Sequence, residues 1–258
     1  MSVDVLESTR EGAPTVLLSS GLGGAAGYWT PQLDALRARF RVITYDQAGT
    51  GRARRDLPED YTIGAMADDV LAILDETKTG ACHFVGHALG GLVGLDLARR
   101  TPQRLTSLTV VNGWATADEH TKRCFEARLL LLDHAGPGAY VRAQPIFLYP
   151  ALWLAQNAER ARREDAHGLA HFQGEETLRR RIGALLHFDA TADLAAIRTP
   201  AFVMGARDDV LVPVSKSEEL AASLPNALLH VADYGGHAVN VTMPDAFNAA
   251  LLDFLSRS

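Results

Sequence analysis

Short apolar runs alternate with amphipathic stretches along most of the chain. Thr15–Ser19, Arg41–Tyr45, Cys82–Val85, Leu105–Val111, Ala201–Met204 and Leu228–Val231 are brief and rich in Val, Leu, Ile and Phe. Runs of that kind fit strands buried on both faces of a sheet. Val3–Glu7 alternates weakly and fits an edge strand. Between the runs, apolar residues recur every three or four positions. Leu33, Leu36 and Phe40 mark a helix over Trp29–Arg39, and Ile63, Met66, Ala67, Val70, Leu71 and Leu74 mark one over Asp60–Lys78. Leu92, Val93, Leu95, Leu97 and Ala98 mark a third, and Val214–Ser223 and Pro244–Leu255 read as two more. Strands alternating with helices imply crossover connections, and so an α/β fold with a mostly parallel sheet flanked by helices.

The alternation stops near Ala115 and resumes at Pro200. The stretch between is helical or irregular and rich in Arg, His and aromatic residues, among them Arg123, Arg128, Tyr140, Phe147, Tyr149, Trp153, His171 and Phe172. It reads as a helical lid inserted over the ligand-binding edge of the sheet. The expected division is a core of residues 1–114 and 195–258 with a lid of residues 115–194. The plainer alternative is a set of amphipathic helices on the flank of the domain.

The sharpest local signal lies after Cys82–Val85. Gly86-His87-Ala88-Leu89-Gly90-Gly91 joins that strand to the helix of Leu92–Ala98. This is the pattern of a nucleophile elbow, G-x-S-x-G, a strand–turn–helix whose apex residue stands above the sheet. The glycines are required because side chains there would strike the neighbouring strand and helix. At the apex stands Ala88, so the scaffold for covalent catalysis is present without its nucleophile.

Composition narrows the setting. At 258 residues the chain suits one large domain, and 47% apolar with 22% charged residues places it among soluble globular proteins. A net charge of −6 argues against nucleic acid or an anionic membrane as partner. Two cysteines, Cys82 and Cys124, make no disulfide framework, and the cytoplasm is the simpler setting. Met1–Arg10 lacks the apolar core of a signal peptide, and no run approaches the ~20 residues of a membrane span. No metal-ligand spacing is visible. The glycine-rich Ser20–Gly24 loop is not a P-loop, because no Gly-Lys-Ser/Thr follows, so no cofactor is expected.

In open parallel sheets ligands bind at the carboxyl ends of strands. The Gly21 loop, Ala88, the doublet Asp208-Asp209 and His237 all follow strands, in the order elbow, acid, histidine. On that order, and on Gly21-Leu22-Gly23-Gly24, Asp46-Gln47-Ala48-Gly49-Thr50-Gly51 and Gly236-His237, the chain resembles the α/β-hydrolase superfamily over nearly its whole length. Within it, Gly86-His87-Ala88-Leu89-Gly90, Asn112-Gly113-Trp114, His120–Phe125, Gln144–Pro150, Ala170–Gly174 and Tyr234–Ala238 resemble the RutD-like family of the bacterial Rut pathway of pyrimidine degradation. That family also carries alanine at the apex, which the resemblance implies is natural here. One departure is Ala48, where the hydrolase pattern usually has arginine.

The resemblance implies roles for particular residues. His237 would be the general base, oriented by Asp209, with Asp208 as the alternative register. The backbone N–H groups of Leu22 and Leu89 would form an oxyanion hole, with Gly21 in the loop and Ser20 either donating a further hydrogen bond or simply ending the strand. In the lid, Arg123, Arg128, His171 and Gln173 are candidates to bind a substrate carboxylate. The implied reaction is hydrolysis of 3-aminoacrylate or carbamate by His-activated water. The other readings are a non-enzymatic binding or scaffolding homologue, and a serine esterase whose nucleophile has been replaced. The fold commonly homodimerises, but no residue names an interface.

Overall fold

Seven strands form one sheet among the described residues, 2–257, of the computed structural model. They are β1 Ser2–Leu6, β2 Thr15–Ser19, β3 Arg41–Asp46, β4 Cys82–His87, β5 Leu105–Val111, β6 Ala201–Ala206 and β7 Ala227–Ala232. Their order across the sheet is β1-β3-β2-β4-β5-β6-β7. β1 pairs antiparallel with β3, and every other pair is parallel. The chain starts its parallel part at β2, steps one way to β3 and then returns past β2 to β4. The strand order reverses there, so a crevice opens at the carboxyl ends of β2 and β4.

Helices α1 Thr30–Arg37, α2 Ile63–Glu76 and α3 Leu89–Arg100 cover the first half of the sheet. α1 is shorter than its apolar spacing predicts, because Ala26–Trp29 forms a separate 3-10 turn and Pro31 occupies the first turn of α1. Thr62 caps α2, its hydroxyl accepting the Ala65 N–H at 3.2 Å. Four helices then intervene between β5 and β6: α4 Glu119–Leu148, α5 Ala151–Gln156, α6 Ala158–Ala170 and α7 Glu175–His187. α4 is broken at Gly136, whose φ of 76° and following Pro137 end one helix and start another. The insertion leaves and re-enters the core through a narrow neck, where Ala190 N–H donates to Ala115 C=O at 3.0 Å. α8 Val214–Ser223, the short α9 Val239–Thr242 and α10 Pro244–Leu255 complete the chain.

Two apolar layers sandwich the sheet. On one face Leu17, Ile43, Phe84, Leu108 and Val203 pack against α2, α3 and α8, and this layer continues into the insertion through Phe125, Tyr140, Leu178 and Ile182. On the other face Val16, Leu18, Val42, Val85 and Phe202 pack against Trp29, Leu36, Phe247, Leu251 and Phe254. The insertion meets the core at the carboxyl ends of the strands. Thr177 of α7 lies where a side chain on Gly49 would be, and Leu148 and Pro150 lie against Gly236.

The tightest approach is at the turn from β4 into α3. A Cβ on Gly86 would come within 2.3 Å of the Gly90 carbonyl oxygen, and one on Gly90 within 2.3 Å of the Ser19 carbonyl oxygen. Both obstacles are backbone and cannot rotate away. Gly90→Ala should therefore cost about 3 kcal/mol or more of folding stability. Gly23→Ala, where nothing lies within 4 Å, should cost about 1 kcal/mol at most. Denaturant unfolding midpoints of the two variants check this; equal midpoints would contradict it.

Candidate active site

Ala88 sits at the apex with φ 47° and ψ −114°, a strained conformation for a residue with a Cβ. Its N–H donates to Val111 C=O on β5 at 2.8 Å, and its C=O accepts from Gly91 N–H at 2.8 Å. The turn is thus pinned from both sides. It starts α3 with Leu89, whose N–H has no helical acceptor behind it and lies at the positive end of the helix dipole. Across the crevice the loop after β2 presents Leu22. Among the described residues no backbone hydrogen bond takes up the Leu22 or Leu89 N–H. Gly21 must lack a side chain, since a Cβ there would meet His87 Nδ1 at 2.9 Å. The Ser20 hydroxyl donates to Ala25 C=O at 2.7 Å, so it closes its own loop rather than facing the crevice.

His237 and Asp209 face each other in the interior, with Nδ1 to Oδ2 at 2.8 Å and side chains only 3% and 0% exposed. The other carboxylate oxygen of Asp209 accepts the N–H groups of Leu211 at 2.8 Å and Val212 at 2.9 Å. The carboxylate is therefore fixed and fully solvated by donors. Asp208 points elsewhere. It accepts Gly236 N–H at 2.8 Å and Gly235 N–H at 3.2 Å, tying down the turn that carries the histidine. The doublet thus divides its work, one aspartate touching the imidazole and the other its loop.

Two residues that the sequence reading did not assign to the site hold the backbone of His237. Asn112, at the end of β5 with φ 48°, donates Nδ2 to His237 C=O at 2.6 Å and accepts Ala206 N–H at 3.2 Å. His87 Nε2 lies 2.8 Å from the same carbonyl, so it carries the proton there. The two imidazole rings are 4.7 Å apart, edge to face. Burial and the neighbouring His237 hold the His87 pKa well below the usual histidine range, which keeps it neutral. The signal for Asn112 was its type: Asn tolerates a positive φ where a strand must turn sharply.

The insertion contributes unequally. Arg128 is buried among Phe125, Tyr140 and Phe147, with its guanidinium 5.0 to 5.6 Å from their ring centres. It donates to Tyr140 Oη at 2.8 Å and to Gln144 Oε1 at 2.5 Å; its Nε has no partner among the described residues. Gln173 reaches the oxyanion loop, Nε2 to Leu22 C=O at 3.4 Å. Two expected contacts are corrected. Arg123 is 73% exposed and paired with Glu119 along the outer face of α4. His171 is exposed at the end of α6, bonded to His167 C=O at 2.9 Å and stacked on the His167 ring. Neither borders the buried pair. Arg181 of α7, by contrast, is fully buried against the Gly21–Leu22 loop. No group of three or more His, Cys, Asp or Glu able to hold a metal occurs among the described residues, and no helix among them is long and apolar enough to cross a membrane.

A strained elbow, a buried imidazole–carboxylate pair and two backbone N–H groups, at Leu22 and Leu89, without a backbone acceptor among the described residues are the parts of a hydrolase site. A family model described as the alpha/beta hydrolase fold matches residues 14–244, and the chain belongs to that family of hydrolases. Its curated relatives include "Putative carbamate hydrolase RutD" of Agrobacterium fabrum, 50% identical over 255 residues that cover 99% of this chain and 98% of the relative. The protein of the same name from Variovorax paradoxus is 56% identical over 243 residues, covering 94% and 91%. At that identity and coverage, the RutD proteins are the branch in which the chain falls. Among solved structures, a hydrolase from Pseudomonas aeruginosa PA01 superposes with a TM-score of 0.88 at 29% identity, over 98% of this chain and 93% of that one.

Burial also holds the pKa of His83 below its usual value, beneath Phe40 and beside Ser107. Above the unfolded pKa of about 6.5, His83 and His87 are neutral in both states and pH has no leverage through them. Below it the unfolded chain takes up protons that the folded protein refuses. Stability falls there by up to about 1.4 kcal/mol per pH unit for each histidine. Thermal unfolding across pH 5 to 8 should show Tm dropping below about pH 6.5, more shallowly in His83→Asn. An identical drop in wild type and variant would contradict the assignment to His83.

Proposed function

We propose that this protein hydrolyses a small reactive nitrogen compound of pyrimidine degradation, 3-aminoacrylate or carbamate, by activating water rather than by forming an acyl-enzyme. The observation that carries the proposal is the intact His237–Asp209 pair, 2.8 Å apart, beside an apex that bears only a methyl group. An enzyme that needed a serine would gain nothing from this apex. One that needs a water molecule gains the space in which a hydroxymethyl group would otherwise stand.

In the proposed reaction His237 Nε2 takes a proton from water as the oxygen attacks the substrate carbon. Asp209 stabilises the imidazolium that forms, and its own charge is held by the Leu211 and Val212 amides. The imidazolium then returns the proton to the departing nitrogen. With 3-aminoacrylate, addition at the imine tautomer gives a carbinolamine that collapses to malonic semialdehyde and ammonia. With carbamate, the products are bicarbonate and ammonia, and the Leu22 and Leu89 N–H groups receive the oxyanion of the tetrahedral intermediate. General-base help of this type contributes typically ~10² to 10⁴ in rate. That suits substrates that already decompose unaided.

Both substrates are anions carrying a carboxylate. Arg128 supports their binding, because it is a buried cation with no acidic partner among its hydrogen bonds and a guanidinium edge left open. The helical insertion would act as the lid over this site. The low exposure of His237 and Ala88, 3% and 6%, agrees with a covered site. A cytoplasmic setting fits two cysteines that are both unpaired.

Ammonia release from each substrate, generated in situ, tests the reading. Wild type should accelerate release from one of them. His237→Ala should fall to the buffer rate, and Asp209→Asn should lose about 10²-fold or more. Asp208→Asn should lose less, since it loosens only the loop. Release at the buffer rate from both substrates with wild type would overturn the proposal.

A further inference from the structure

The guanidinium of Arg181 is the largest charged group sealed inside the protein, and it has no carboxylate beside it. Arg181 is 0% exposed. Its hydrogen bonds go to carbonyl oxygens and an amide, Nη2 to Leu22 C=O at 3.1 Å and to Gly21 C=O at 3.5 Å, Nε to Leu22 C=O at 3.3 Å, Nη1 to Ala48 C=O at 3.4 Å, and Nη2 to Gln47 Oε1, and the neutral phenols of Tyr45 and Tyr61 lie within its field. Desolvation pulls its pKa down to about 10, which still leaves it charged at neutral pH. A buried, unpaired cation is destabilising, so its position calls for a reason other than stability.

Its partners supply one. Gly21 C=O belongs to the same peptide unit as the Leu22 N–H, the donor assigned to the oxyanion in the proposed reaction. The oxygen of that unit accepts the Gly24 N–H at 3.0 Å, and the guanidinium beside it adds a second, charged donor that holds the plane of the unit and polarises its N–H. Leu22 C=O, on the next peptide unit, is held by Arg181 and also by Gln173. Gln47 completes the arrangement. Its Oε1 accepts from Arg181, while its Nε2 donates to Ser20 C=O at 2.7 Å and approaches Ser19 Oγ at 3.2 Å. The loop from Ser20 to Leu22 is thereby strapped from β3 and from α7 together. Ala48 stands where hydrolases usually place an arginine, and the Arg181 guanidinium reaches the backbone of that position from the insertion.

We infer that Arg181 is a positioning residue: it sets the Leu22 N–H in its oxyanion-binding orientation and makes that orientation depend on docking of the helical insertion. The inference rests on the proposed oxyanion role of Leu22. All the donors of Arg181 that meet the loop are committed to protein acceptors, which separates it from Arg128, whose edge is open. Arg181 therefore governs turnover and not substrate capture.

The test combines kinetics with amide exchange. Arg181→Met and Arg181→Lys are compared with wild type and with Arg123→Ala, a control on the outer surface of the same insertion. Ammonia release should show kcat lowered by about 10- to 100-fold in Arg181→Met with KM within about 3-fold of wild type. Arg181→Lys, which keeps the charge but not the planar fork, should recover part of the loss. Amide exchange followed by NMR should accelerate at Gly24, whose N–H donates to Gly21 C=O at 3.0 Å, but not at Gly91, whose N–H donates to Ala88 C=O at 2.8 Å, with Arg123→Ala unchanged throughout. If Arg181→Met does not fold, Gln47→Leu provides the same two readouts from the other side of the strap. A raised KM with unchanged kcat would make Arg181 a substrate contact and overturn the inference, as would exchange at Gly24 equal to wild type. If wild type releases no ammonia from either substrate, the function proposed above fails, and the exchange at Gly24 alone still decides whether Arg181 holds the loop.

Discussion

Backbone contact at the elbow constrains everything else in this protein. Gly86 lets the start of α3 fold back onto the end of β4, and Gly90 lets α3 press against the backbone at the end of β2, so closely that no side chain fits at either position. That closeness forces Ala88 to a positive φ and aims the first N–H groups of α3 into the crevice. It also brings the loop after β2 opposite the apex. The loop after β2 and the apex meet there, and Asn112 and His87 tie the His237 loop to the same place. Replacing the nucleophile by alanine leaves this geometry untouched, since it depends on glycines and peptide groups and not on the apex side chain.

Around the elbow the protein spends buried polar groups on orientation. The His237 carbonyl accepts hydrogen bonds from both Asn112 and His87, its loop amides donate to Asp208, and its ring bonds to the Asp209 carboxylate. The loop carrying Leu22 is held by Gln47, Gln173 and Arg181. Such a network costs desolvation at every member and repays it only when each is satisfied. Its members come from β4, from the turns after β3 and β5, from α7 and from the loops before α7, α8 and α9, so the site is a property of the assembled fold and of no single segment.

How far the sequence foretells this differs by element. The sheet was legible because each buried strand is a short apolar run, and the elbow was legible because its glycines answer a local steric demand. The order elbow, acid, histidine could likewise be read directly. The choice between Asp208 and Asp209 could not, because adjacent residues face opposite ways and only the folded loop shows which meets the imidazole. In the insertion, sequence reasoning failed on Arg123 and His171, which turn out to be surface residues. Arg123 stands on the outer side of α4 and His171 at the end of α6, and nothing in the spacing of the many arginines and histidines there says which side of a helix will face the core. Arg181 was hidden as the last of three consecutive arginines, of which Arg179 and Arg180 pair with acids at the surface.

The account claims that water, not a side chain, is the nucleophile above Ala88. Comparing kcat/KM of Ala88→Ser with wild type for ammonia release is the most direct measurement of that claim. The account predicts that the serine variant is no faster, because its hydroxymethyl group takes the place of the attacking water. A gain of about 10²-fold or more would contradict it, and would mean that the elbow still works as a covalent site from which the nucleophile is merely missing.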